Sequence, residues 1–570
     1  SIHIRHYQFM IRLLVLSVAI FASFLNTFAD NRNRSEMLRI AQEKFATKSM
    51  AKGSSIIDNE VKLMKDTDQF AIYGAKGAGF VVVSRSNTFP AVIGESEHDY
   101  DSTNVAPGFK WWMENISKSM AYRDANNMGR TSLSVSETIS PFITTKWDQV
   151  LPYNLLCPSV GTKLTHGYTG CVATAMSQIL KYYNYPSTSK GSGGYSTVVG
   201  NDTTVRLATI NTTYEWNNMS NSYLTSNAIT PTNIAAVATL MRDAGYGANM
   251  EYGVDGSGTT DYEAALAFIN NFSYNPYSLK LLQKELYTDE EWNQVIYNEI
   301  KNKRPVLYGG STTQKEGHAF VFDGINTEGN VDVNWGWGGA CDGWYDIFDL
   351  TPIGNGEEFS SGTTFSEGND MIIGFDPHSD ATGSDFSIWG TDKNCSFSIS
   401  PDNKLSITMT TFYNFGYKTF TGDFAIICEN TSTSVLTPIY NFFQGDSYES
   451  LSGFTYGKEV QGNLNISNLS PGIYKVYIAS KATNETAWSP VRSSITNGII
   501  LSTFTKSITG ELTITGINNV TQDKTNNDKT IRIYDISGKL LNVTADENTI
   551  SGKGIFITKQ GNSTKKVIKQ

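Results

Sequence analysis

Cys171 opens the run Gly170-Cys171-Val172-Ala173-Thr174-Ala175-Met176-Ser177-Gln178-Ile179-Leu180, whose apolar positions 172, 175, 176, 179 and 180 repeat with helical spacing and end before Pro186. A cysteine in the first turn of a helix lies among unsatisfied N–H groups at the positive end of the helix dipole, and both favour the thiolate. A thiolate attacks carbonyl carbon, and an imidazole beside it serves as base and then as acid. Of the six histidines (3, 6, 98, 166, 318 and 378), His318 follows Cys171 at a distance inside the spacing of about 130 to 150 found where a cysteine on one wall of a cleft meets a histidine on the other. His166 is the rival, but it sits just before Cys171 on the same approach, where an opposite wall cannot form. Asn334 follows His318 within Val333-Asn334-Trp335-Gly336 and can accept from the second imidazole nitrogen, with Trp335 placed to keep water off that hydrogen bond. The developing oxyanion needs donors, for which the Cys171 N–H and the amide of Gln149, upstream in Lys146-Trp147-Asp148-Gln149, are the candidates. Each residue alone has a plainer reading, as a small buried thiol, a strand histidine or a loop glutamine. Their joint occurrence in this order points to acyl transfer through a thioester.

The elements that must position these residues can be read coarsely. At 570 residues the chain is expected to hold several folded units. Residues 30–130 read as a small α+β unit: a helical stripe at Met37, Ile40, Ala41 and Phe45, hairpin strands from Phe70 to Glu95, and a second helix after Pro107 with Phe109, Trp112, Met113, Ile116 and Met120 on one face. Residues 125–140, rich in Asn, Ser and Thr, read as an exposed linker. Residues 131–377 form the mixed region that carries the chemistry. From 384 to 505 the sequence alternates Ser/Thr with apolar residues, the pattern of a β-sandwich of immunoglobulin-like type. The stretch 515–570 reads as a small all-β domain whose closing segment, from Ser551 onward, holds five lysines and no acid.

The net charge of −10 repels phosphate backbones, so no nucleic acid partner is expected. The apolar run Leu13–Leu25 is too short to span a bilayer; with Arg12 before it and small residues at Thr27 and Ala29 it reads as a signal peptide over 1–29, with Met10 as the start, leaving no transmembrane segment in the mature chain. Five cysteines leave at least one thiol unpaired in an exported chain. Neither an HExxH nor a paired C-x-x-C is present, so neither metal nor cofactor is expected.

Trp147-Asp148-Gln149 with Pro152-Tyr153-Asn154, Thr169-Gly170-Cys171-Val172-Ala173-Thr174-Ala175 with Tyr185-Pro186, Gly317-His318-Ala319-Phe320-Val321, and Asn334-Trp335-Gly336-Trp337-Gly338-Gly339 together resemble the streptopain family of secreted papain-like cysteine peptidases over roughly 140–377. The resemblance implies an α+β papain-like catalytic domain with Cys171 as nucleophile, His318 as base, Gln149 in the oxyanion hole and the Asn334–Trp335 pair supporting the imidazole. It also implies that 30–130 is an inhibitory propeptide of a zymogen, and that Met250, Tyr252, Gly317 and Trp337 contact a peptide substrate with a bulky apolar residue two before the scissile bond, Met250 to Gly258 forming part of the cleft rim. The segment from 531 onward is similar to C-terminal sorting domains of Bacteroidetes secretion, which implies a secretion-machinery partner and a secreted or cell-surface location. Two other readings share features with this one: a degenerate peptidase acting as a surface adhesin, and another papain-like amidase or acyl transferase.

Overall fold

The computed structural model describes residues 31–52, 61–125, 133–163, 165–224, 229–311, 317–347, 350 and 369–381, and segments between 389 and 569. The expected signal peptide and residues 126–132 of the expected linker lie outside the described residues. The chain divides into two compact units: residues 1–138 with 325–335 and 339–353, and residues 139–324 with 336–338 and 354–570.

In the first unit, helix α1 (Arg34–Lys52) buries Met37, Ala41 and Phe45 against Tyr73, Val81 and Val83. Strands Lys62–Asp66, Phe70–Ala75, Gly79–Ser84 and Val92–Ser96 pair antiparallel in chain order. The sheet then continues through residues far along the chain: Val92–Ser96 pairs with Gly343–Tyr345, which pairs with Val331–Asn334. Helix α2 (Pro107–Ala125) starts at a proline, whose missing N–H costs nothing in a first turn, and buries Phe109, Trp112, Met113, Ile116 and Met120. Its aromatic face meets both parts of the sheet: Phe109 lies 5.5 Å from Phe80, 6.0 Å from Trp335 and 5.2 Å from Tyr345, centroid to centroid. The Trp112 Nε1 donates to the Asp346 carbonyl at 2.8 Å.

In the second unit, helices α3 (Cys171–Tyr183), α4 (Pro231–Gly247), α5 (Asp261–Asn270) and α6 (Asp289–Lys301) accompany four antiparallel strands in the order Gly317–Ile325, Val306–Ser311, Asn369–Ile373, Lys280–Gln283. Thr230 and Thr288 close capping boxes at α4 and α6, and Thr260 caps α5. The core between helices and sheet holds Val172, Met176 and Ile179 of α3, Leu240 and Met241 of α4, Phe268 of α5, and Ala319 and Val321 of the sheet. Beyond it, strands 436–448, 420–430, 472–482, 501–506 and 512–516 neighbour one another antiparallel, over a separate core that includes Phe424, Ile426, Cys428, Val476 and Phe504. Strands between 531 and 569 form a four-stranded antiparallel sheet.

Candidate active site

Cys171 is the first residue of α3, preceded by Gly170 at φ +87°, which has no side chain to cap the helix. Gly170 is needed there: a Cβ would lie 2.8 Å from Met250 Cε and 3.0 Å from the Ser257 carbonyl. Thr174 ties the turn down, donating its hydroxyl to the Gly170 carbonyl at 3.0 Å and sharing a 2.8 Å hydrogen bond with Thr169.

The Cys171 side chain is partly exposed, yet its sulfur sits low in the protein, and burial pushes the thiol above its ordinary value. The charge of Asp261 pushes the same way, while the backbone amides of Ala319, Val172 and Cys171 itself favour the thiolate and oppose the rise. Ala319 follows His318 in the strand Gly317–Ile325, so one of the amides that favour the thiolate lies on the strand that carries the candidate base. His318 is half-buried and stands opposite Gly310 of the neighbouring strand, with Gly317 exposed opposite Ser311.

Gln149 is buried, at 8% exposure. Its carbonyl accepts from the Thr169 amide at 3.0 Å, two residues before Cys171, and its own N–H donates to Asp148 Oδ1 at 2.7 Å. Helix α3 holds this loop a second time. Gln178 Oε1 accepts from the Thr145 hydroxyl at 2.9 Å and from the Trp147 amide at 3.3 Å, and all three groups are buried. The turn 336–338 closes over the same structure: the Gly338 amide donates to the Trp147 carbonyl at 3.0 Å, and Gly336, at φ +65°, brings its backbone so near α3 that a Cβ would lie 3.2 Å from Thr174 Cγ2. Trp337, between them, is half-buried.

Asn334 and Trp335 belong to the first unit and are buried there. Trp335 is held at both ends: its amide donates to Asp342 Oδ1 and its Nε1 to the Cys341 carbonyl, each at 2.9 Å. The rival His166 lies exposed on a two-residue strand, and its Nδ1 is 2.9 Å from the Cys157 carbonyl.

Met250 and Tyr252 depart from the expectation of a rim. Both are fully buried in the core, Met250 against Gly170 and Tyr252 against Gly245 and Gly167. The exposed members of that segment are Glu251, Val254, Asp255, Gly256 and Gly258. The alternation of a short strand explains the difference, since side chains at 250 and 252 share one face and that face is the core.

Sequence reasoning gave no role to Gln178, Asp261 or Asp370. Gln178 lay inside the helix with no signal beyond its polarity on an apolar stripe, and Asp261 reads as an ordinary first-turn acid after the cap Thr260. Cys157, Cys341 and Cys428 are buried free thiols, raised by burial to about 12, 11 and 12. Among the described residues no cluster of three or more His, Cys, Asp or Glu is placed to hold a metal ion, and no helix is long and apolar enough to cross a membrane.

The second unit thus brings together Cys171 at a helix start, the strand that carries His318, and the Gln149 loop fastened to the same helix. Residues 147–345 match the family model described as the peptidase C10 family, and over this stretch the chain belongs to that family of cysteine peptidases. The chain is 30% identical over 318 residues to the thiol protease/hemagglutinin PrtT of Porphyromonas gingivalis, covering 53% of this chain and 36% of that protein. It is 29% identical over 328 residues to streptopain of Streptococcus pyogenes, covering 54% of this chain and 80% of that one. Among solved structures it matches a prointerpain A fragment of Prevotella intermedia at 33% identity and a TM-score of 0.49, covering 55% of this chain and 98% of the fragment.

Proposed function

We propose that this chain is a secreted endopeptidase, made as a zymogen, that cuts peptide bonds through a covalent thioester on Cys171. The observation that carries the reading is the packing of the histidine strand on the cysteine helix: Cys171 at the uncapped start of α3 and Ala319, the residue next to His318, belong to one core. His318 takes the thiol proton, the thiolate attacks the scissile carbonyl, and the oxyanion is held by the Cys171 N–H and the Gln149 amide. His318 then returns the proton to the leaving amine, and water hydrolyses the thioester by the same route in reverse. Asn334 orients the imidazole and Trp335 shields it. Burial that keeps the free thiol protonated favours an ion pair with His318 over a lone thiolate. Substrate contacts fall to Gly317 and Trp337, both accessible, and to the exposed side of the 251–258 segment.

Residues 30–130 act as the propeptide in this reading. Support comes from the first unit, where Phe109 of α2 packs on Trp335 and the strand Val92–Ser96 pairs with Gly343–Tyr345. The catalytic region then spans 131–377, an immunoglobulin-like β-sandwich 384–505, and a sorting domain 515–570 that engages the secretion machinery and places the enzyme outside the cell. The test is mass spectrometry of peptides cut from a denatured protein by the purified, processed enzyme, with and without a thiol alkylator. Internal cuts abolished by the alkylator support the reading, and cuts that persist under full alkylation refute it.

A further inference from the structure

Gly309 lies in the middle of three strands, opposite Ala319 on one side and Asp370 on the other. A Cβ at this position would lie 2.0 Å from Asp261 Oδ2 and 2.3 Å from Asp370 Oδ1, so two carboxyl oxygens converge on the bare face of one glycine. Asp261 comes from the first turn of α5 and Asp370 from the strand Asn369–Ile373, and they are 6% and 5% exposed. Two carboxylates so close and so dry cannot both be charged, because their repulsion is barely screened. Carboxyl oxygens that converge on one such point are held together by a proton on one of them, which lets that one donate to the other. The pair therefore carries one proton and one negative charge.

Its neighbour is the nucleophile. Ala319, paired with Gly309, belongs to the core against which Cys171 packs, and the charge of the Asp261 carboxyl acts on that thiol and raises it. The other ionisable groups on the elements packed here are Tyr262 and Glu263 of α5, Lys181, Tyr182 and Tyr183 of α3, Arg242, Asp243 and Tyr246 of α4, Lys280, Tyr308, and His318 and Asp323 of the base strand.

We propose that Asp261 and Asp370 form a proton-sharing positioning pair behind Ala319, whose single negative charge sets how readily the Cys171 sulfur ionises. The proposal rests on Cys171 being the nucleophile. At neutral pH the charge disfavours a free thiolate and so leaves the sulfur dependent on His318 for its proton transfer. When acid delivers the second proton the pair becomes neutral and this restraint is lifted.

The test reads the thiol directly. The full chain is treated with iodoacetamide across a pH series, and the rate of carbamidomethylation at the Cys171 peptide is followed by mass spectrometry. In Asp261→Asn and in Asp370→Asn an amide replaces the protonated partner and one carboxylate remains, so the acid limb of the rate profile should stay close to that of the wild type. In the doubly substituted chain the charge is gone, and the limb should move down by about one pH unit or more, one unit being the shift expected of a unit charge about 12 Å away at an effective dielectric constant of about 20. At a fixed pH below the limb that is about a tenfold faster alkylation. An unmoved limb in a doubly substituted chain that keeps its near-ultraviolet circular dichroism overturns the proposal, as does an equal shift in each single variant. Should the double variant not fold, infrared difference spectra decide: a protonated carboxyl band at neutral pH, present in the wild type and lost in Asp261→Asn, supports the shared proton, and its absence from the wild type overturns it. Failure of the nucleophile reading looks different, since Cys171 would then be alkylated without loss of peptide cleavage.

Discussion

The Thr169 amide donates to the Gln149 carbonyl at 3.0 Å, binding the candidate oxyanion loop to the segment that ends in Cys171. One hydrogen bond thus couples an upstream loop residue to the start of α3, and Gln178 couples the same loop to the body of that helix. The consequence is geometric: a donor must be held about 2.7–3.1 Å from the position the oxyanion will occupy to stabilise it.

Gln149→Ala is expected to lower kcat by about 10²-fold to 10³-fold, the loss typical of an oxyanion donor, with little change in thermal unfolding. Steady-state kinetics on a peptide substrate check this, and an unchanged kcat would make Gln149 a structural loop residue.

Gln178→Ala removes the acceptor of two buried donors, the Thr145 hydroxyl and the Trp147 amide. Leaving buried donors unsatisfied costs about 1–3 kcal/mol. The expected outcome is a lower denaturant midpoint together with reduced kcat, because the loop that carries Gln149 loses its tie to α3.

Phe109→Ala opens the aromatic cluster of Phe80, Trp112, Trp335 and Tyr345. Truncating a buried aromatic costs about 3–5 kcal/mol. If α2 holds the propeptide in place, the variant precursor should be cut by trypsin between 31 and 125 faster than the wild type, and it should mature sooner. The Cys171→Ala precursor should instead stay full length, while the wild type shortens by cleavage in the 125–140 segment. Shortening of Cys171→Ala without any other protease would defeat self-processing.

Arg492 fastens the region after the peptidase to α6. Its guanidinium donates to Glu291 Oε2 at 3.0 Å, to Oε1 at 3.3 Å and to the Leu286 carbonyl at 3.2 Å, and lies 3.9 Å from the Tyr287 ring centroid. Burial alone would raise the Glu291 carboxyl, but the hydrogen bonds from Arg492 and Thr288 outweigh it, and the net displacement is downward. A depressed acid stabilises the fold fully above its unfolded value and loses that contribution as pH falls through the lowered one. Arg492→Ala should therefore destabilise by about 1 kcal/mol at neutral pH, less in acid, as thermal unfolding at the two pH values would show.

How much of this was legible in the sequence depends on the range of the interaction. Helix α3 declares itself by the spacing of Val172, Met176 and Ile179, and α2 by its aromatic stripe, because these signals are local. The pairing of Gly343–Tyr345 with Val92–Ser96 leaves no mark on either segment, since it depends on contacts between distant parts of the chain. Met250 and Tyr252 misled because a three-residue strand is too short for its alternation to say which face is the core. Asp261 and Asp370 stand far apart along the chain, and only the closeness of their elements to Gly309 brings them together.

The most direct measurement is the turnover of Cys171→Ala on a peptide substrate, made beside a thermal unfolding curve. Losing the sulfur removes covalent catalysis but only a small side chain, so turnover should fall below about 1% of the wild type while the unfolding transition stays where it was. Turnover well above that level in a folded Cys171→Ala protein would contradict the assignment of Cys171 as the nucleophile.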